Sequence, residues 1–239
     1  MKARLAIILG IMCFTFASPG LADTGFILPK AHLVTFRDCP DCLEMVVLPS
    51  ALSMSRSTVT RAQFSHFAKE TGFSQVGWGC SWTTPEFRQS DDDPVTCVSW
   101  ADAQKFAEWV NKKTGHAYRL PTLEELKYAA MAGETGFYWW GQSVGVNRAN
   151  CKGCGSIWDN AGTSPVASFK PNSYGIFDPV GNVWQWTGSC TTEQCIDHFL
   201  FGGSWASVPA DLKVDARIWN DRNYRLNTYG IRLVRDAYN

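Results

Sequence analysis

The sequence predicts an α+β, loop-rich fold with three short helices and short strands, and three observations carry that prediction. Thr60-Arg-Ala-Gln63, Ser99-Trp-Ala-Asp102 and Thr122-Leu-Glu-Glu125 each set a hydroxyl cap three residues before a side chain that can reach back to it. Beyond Gly133, glycine, asparagine and aromatic residues dominate, with only short strand-like runs at Pro165–Phe169 and Gly230–Val234. Cysteines stand close together in the chain, at 39/42, 80/97, 151/154 and 190/195, so that covalent or metal ties could hold loops that lack regular structure.

The chain opens on a segment that reads as a secretory signal, residues 1–22. Lys2 and Arg4 provide the positive start, Leu5 to Phe16 the apolar stretch, and Gly20-Leu-Ala22 a small-x-small cleavage site. The apolar stretch is too short to span a bilayer, so no membrane insertion is expected once it is removed. Bulky Met12 before Cys13 argues against a lipid anchor. Residues 23–44 then form an N-terminal segment carrying Cys39-Pro-Asp-Cys42, and residues 45–239 one domain large enough for a single core. Lys2 and Arg4 leave with the signal, and the 22 acidic residues then slightly outnumber the basic ones. Such a balance gives no electrostatic reason to expect nucleic acid as a partner.

Of the nine cysteines, eight remain after Cys13 is removed. In an exported chain the local pairs Cys39–Cys42, Cys80–Cys97, Cys151–Cys154 and Cys190–Cys195 are the expected disulfides. The two Cys-x-x-Cys motifs also fit a four-thiolate zinc site, which an oxidising compartment disfavours.

Each helix cap is followed by apolar residues at helical spacing. These are Phe64, Phe67 and Ala68, then Ala103, Phe106, Ala107 and Val110, then Leu126, Ala129 and Ala130. Glycine stops are expected at Gly72, Gly115 and Gly133.

Five runs in order resemble one known family. They are Ala51–Phe64, Pro94-Val-Thr-Cys-Val-Ser-Trp-Ala-Asp-Ala103, Tyr118-Arg-Leu-Pro-Thr-Leu-Glu-Glu125, Tyr174-Gly-Ile-Phe-Asp-Pro-Val-Gly-Asn-Val-Trp-Gln-Trp186 and Phe201-Gly-Gly-Ser-Trp205. The chain ends on Tyr229-Gly-Ile-Arg-Leu-Val234. From about Met45 to Asp236 the chain resembles the formylglycine-generating-enzyme family, or sulfatase-modifying-factor domain. The resemblance implies a fold related to C-type lectins, with short antiparallel strands. It also implies a role for Ser204 as the counterpart of the family's active-site serine.

The resemblance stops where the family's best-known chemistry sits. Its oxidases hold copper(I) through two cysteines shortly after the Gly-Gly-Ser run, and soft thiolates select that ion. Residues 202–216 contain no cysteine here, so copper is not expected. A second branch uses histidine-held iron. His32, His66, His116 and His198 show no short ligand spacing, which leaves only an iron site assembled in three dimensions open. Calcium is the cofactor the resemblance implies. One ligand set aligns with Asp178, the Gly181 and Val183 carbonyls and Gln185, where the family usually has glutamate. The other aligns with Asn150, the Cys151 carbonyl and Asp159. Hard cations take such oxygens from irregular loops, although Asp178 and Asn182 also suit a plain turn. Asp91-Asp-Asp93 reads as a solvated loop.

Asp215–Arg225 interleaves arginine, asparagine and aromatic residues of the kind enriched at recognition surfaces. A bland alternative pairs Arg217 and Arg222 with Asp215 and Asp221 and buries Trp219. The expected ligand pocket gathers Trp184, Ser204, Trp205, Arg217, Trp219 and Arg232, with Arg222 and Arg225 nearby. These readings point to a periplasmic or secreted accessory that binds or matures another exported protein or a small molecule. The rivals are an oxidase of a small peptide-like substrate, of the pyoverdine-maturation type, and a partner that neutralises a toxin.

Overall fold

A computed structural model describes residues 33–76 and 79–236. The expected signal, residues 1–22, and His32 lie outside the described residues. In chain order the elements are β1 (Thr35–Phe36), β2 (Met45–Val47), β3 (Ser53–Ser55), α1 (Arg61–Thr71), α2 (Trp100–Thr114), β4 (Tyr118–Arg119) and α3 (Leu123–Met131). There follow β5 (Trp184–Cys190), β6 (Asp197–Phe201), a 3-10 turn (Pro209–Leu212), β7 (Arg217–Asp221), β8 (Tyr229–Gly230) and β9 (Val234–Arg235).

All three helices begin as expected, on reciprocal capping boxes at Thr60/Gln63, Ser99/Asp102 and Thr122/Glu125. Gly72 and Gly115 end α1 and α2 in the left-handed conformation. At the end of α3 that role falls to Ala132, one residue before the expected Gly133. Side chains from a distant loop account for the early stop. Asn172 Nδ2 donates to the carbonyls of Ala129 and Ala130, and Ser173 Oγ to that of Ala132. The last-turn acceptors are thus satisfied without another helical turn.

The strands form a five-stranded antiparallel sheet in the order β1-β2-β3-β9-β4 and a four-stranded sheet in the order β7-β6-β5-β8. In the second, β5 runs parallel to β8. The terminal run expected as one strand, Gly230–Val234, is divided between the two sheets. Ile231 and Leu233 in the gap accept hydrogen bonds from Val59 and Ser55, so the chain crosses from one sheet to the other through a buried passage. Pro165–Phe169, also expected as a strand, is irregular. Ala167 is left-handed, and its N–H donates to the Asp178 carboxylate instead of a ladder. The N-terminal segment contributes to the first sheet, which therefore begins before the expected boundary at Met45. β1 pairs with β2, and Asp38 holds the Arg235 guanidinium of β9 at 2.8 Å.

Two apolar clusters fill the interior. One stacks Phe64, Phe67 and Phe106 of α1 and α2 against Trp186 and Leu200, and the other packs Leu126 of α3 against Met54, Ile176 and Phe201. All four expected disulfides form, so the zinc alternative for the two Cys-x-x-Cys motifs is set aside. Among the described residues no helix is long and apolar enough to cross a membrane. Four disulfides indicate an oxidising, extracytoplasmic environment.

Candidate functional site

The Asp178–Asn182 turn and the Gly202–Trp205 run are stitched together where β5 begins and β6 ends. Gly181 N–H donates to Gly202 O at 2.7 Å and Trp205 N–H to Asn182 O at 2.9 Å. The glycine at 203 is obligatory for this contact. It has φ +74, and an added Cβ would stand 2.6 Å from Leu212 Cδ1. Ser204 Oγ lies 3.1 Å from Ser207 Oγ and is buried. Trp205 is half-buried, donates from its indole to Asn227 O at 3.2 Å and meets the Phe87 ring edge-on at 5.2 Å.

The expected ligand residues do not line one pocket. Arg232 is fully buried and spends its guanidinium on Gln185 Oε1 and the carbonyls of Ser55, Phe177 and Asp178. Arg225 is locked to Asp102. Trp184 sits in the core. Arg217, Trp219 and Arg222 are exposed, at or just after the edge strand β7, and Trp205 is half-buried. Trp219 is 62 % exposed, which rules out the core placement, and it faces Phe199 across the strand pair. Arg217 lies 5.9 Å from the Phe199 ring and donates to the Asp215 carbonyl rather than its carboxylate. Arg217 and Trp219 lie two residues apart on β7 and so share one face, and the register against β6 decides that this face is exposed.

Both expected calcium sets are committed to internal hydrogen bonds. In the first, Gln185 Oε1 accepts from Arg232 Nε at 2.6 Å, Asp178 accepts from Ala167 N–H, and the Gly181 carbonyl accepts from Val183 N–H. A guanidinium thus supplies the positive charge that a cation would bring. In the second, Asn150 bridges Gly162 O, Asn182 and Ser156, and the Cys151 carbonyl accepts from Cys154 N–H. Asp159 accepts from the N–H groups of Gly153 and Gly155, both at 2.8 Å, which hold its carboxyl below the usual carboxylate range. A cation at either set would share these oxygens with the protein's own donors. Among the described residues no group of three or more histidine, cysteine, aspartate or glutamate side chains is arranged to hold a metal ion. His198 is buried, stacked at 3.9 Å on Trp100, and burial holds its imidazole below the usual value.

Two roles were not visible in the chain. Asp93, expected in a solvated loop, is buried and accepts from Ser90 and Thr163, tying two loops together. Asp178 is also buried, and burial pushes its carboxyl from 3.8 up to about 6, against the opposing pull of Ala167 N–H and Arg232. An acid raised in this way binds its proton more tightly in the folded than in the unfolded chain. Stability is therefore expected to be greatest below about pH 4 for this group and to decline as pH rises through about 6, by roughly 2–3 kcal/mol. Asp178→Asn should flatten that slope in urea unfolding followed from pH 4 to 7, and an unchanged slope in the variant would refute the assignment.

The sulfatase-modifying factor enzyme 1-like domain model matches residues 36–237. The chain belongs to that family. It is 36 % identical over 166 residues to the inactive C-alpha-formylglycine-generating enzyme 2 of Bos taurus, covering 63 % of this chain and 52 % of that one. To the formylglycine-generating enzyme of Mycobacterium tuberculosis it is 37 % identical over 202 residues, covering 60 % of this chain and 64 % of that one. The chain thus spans about half to two thirds of these curated relatives. The structure of PvdO from Pseudomonas aeruginosa superposes with a TM-score of 0.76 at 26 % identity, covering 85 % of this chain and 98 % of that one. The two sheets and three helices accordingly form the loop-rich α+β fold of the formylglycine-generating-enzyme domain, related to C-type lectins.

Proposed function

We propose that this family member is an exported, periplasmic accessory that binds or matures another exported protein or a small molecule without copper(I) chemistry. One observation carries the reading. The eight described cysteines are joined in four disulfides, each between residues no more than 17 apart. No thiolate pair is left beside Ser204, where soft-metal chemistry would need one. The inactive formylglycine-generating enzyme 2 relatives are in keeping with this reading. The exposed Arg217–Trp219 face on β7 offers a recognition surface of rigid ring and guanidinium.

The test combines metal analysis and capture on protein purified from the periplasm. Neither stoichiometric copper nor oxygen uptake is expected. A specific partner should be retained by the native chain and lost with Trp219→Ala or Arg217→Ala. Stoichiometric copper or iron together with oxygen consumption would sink the accessory reading. It would support the second one, an oxidase of a small peptide-like substrate of the pyoverdine-maturation type, which the likeness to PvdO favours.

A further inference from the structure

A cavity of about 400 Å³ lies among Trp139, residues 146–148 and residues 168–170, and none of its lining residues lies on β7. Its size falls in the ordinary range for small-molecule sites. The lining brings together two aromatic rings, Trp139 and Phe169, and two cations, Arg148 and Lys170, with no carboxylate. Among the described residues neither cation forms an ion pair. Two unneutralised cations beside apolar walls create a local positive potential that attracts an anion.

The walls are built by interactions that do not depend on a ligand. Asn147 N–H donates to Cys154 O at 2.7 Å, which fastens the Arg148 loop to the Cys151–Cys154 disulfide turn. Asp159 caps that turn through Gly153 and Gly155. Arg148 runs along Gly145, where an added Cβ would stand 3.3 Å from Arg148 Cγ. On the opposite wall Phe169 is packed edge-on against Trp158 at 6.0 Å, and Ala167 is anchored to Asp178. Trp139 stands edge-on to Trp140, whose indole N–H donates to the carbonyls of Ser143 and Val144. Such a site is organised in advance, which lowers the entropic cost of binding.

We propose that this cavity binds a small planar aromatic carboxylate, its ring between Trp139 and Phe169 and its carboxylate on Arg148 and Lys170. A guanidinium fork matches a carboxylate with two parallel hydrogen bonds, and the rings supply contact area that an inorganic anion cannot use. The cavity is independent of the β7 face, so failure of either reading leaves the other standing.

Calorimetric titration of the full chain with 4-hydroxybenzoate, 4-hydroxybenzamide and inorganic phosphate tests this. The carboxylate is expected to bind saturably with one-to-one stoichiometry, and the amide and phosphate at least about tenfold more weakly. Arg148→Gln and Lys170→Gln should each weaken carboxylate binding by about tenfold, with Arg148→Lys recovering part of the loss. Both side chains are exposed, so these variants should melt like the native chain. No saturable binding, equal affinity for the amide or for phosphate, or unchanged affinity in both glutamine variants would overturn the assignment.

Discussion

Arg232→Ala is expected to lower the free energy of unfolding by roughly 3–5 kcal/mol, the scale seen when one partner of a buried charged network is removed. The guanidinium is fully buried and donates to Gln185 Oε1 at 2.6 Å, Ser55 O at 2.6 Å, Phe177 O at 2.7 Å and Asp178 O at 3.2 Å. The acceptors come from three separate segments, so one side chain ties β3, the 177–178 turn and β5 to the crossing between β8 and β9. Its loss would strand these buried acceptors, each costing about 1–3 kcal/mol unless water reaches it. Arg232→Met separates the hydrogen bonds from the packing, since the methionine refills most of the volume. Urea unfolding with the disulfides intact should show a similar loss for both variants. A methionine variant within about 1 kcal/mol of the native chain would show that packing, and not the donor array, accounts for the effect.

The second large effect is expected at the Asp102–Arg225 pair. Arg225 Nε and Nη2 meet the two Asp102 oxygens at 2.6 and 3.0 Å, and both side chains are buried. Asp102 also closes the α2 capping box by accepting from Ser99 N–H at 3.0 Å. Arg225→Met would leave a carboxylate buried without its cation, at a cost of about 3–5 kcal/mol. Asp102→Ala removes the pair and one cap bond together. In a double-mutant cycle the combined loss should fall short of the sum by about 2 kcal/mol or more, because the second substitution removes a charge already left alone. Simple additivity would mean that the two residues act independently. The pair also bears on the site. It holds the 222–228 segment whose Asn227 carbonyl receives the Trp205 indole, so Arg225→Met should loosen Trp205 and shift its fluorescence.

Local chemistry was legible wherever a short stretch decides the outcome. The three helix starts follow from hydroxyl caps and their return partners, and the disulfides join cysteines that cannot lie far apart. The end of α3 was not legible, because Asn172 and Ser173 terminate it from some forty residues away. Among the candidate site residues, the aromatic and arginine content of 215–225 marked a special segment. Its division into a buried Arg225 and an exposed Trp219 depended on which side of β7 faces β6 and on where Asp102 lies. The Arg148–Lys170 cavity left no trace in the chain, since its two cations are separated by loops whose approach no local pattern encodes.

The amino-acid order by itself determined the helices, the covalent loops, the family and the absence of cysteines around Gly202-Gly-Ser204, because each depends on residues adjacent in the chain. Only the tertiary structure decided which polar groups are buried. Arg232 became an internal brace, Asp178 an acid with a raised pKa, and the calcium-type oxygens acceptors for the protein's own donors. The physical reason is that a polar atom withdrawn from water must find a partner, and in this fold that partner comes from elsewhere in the chain.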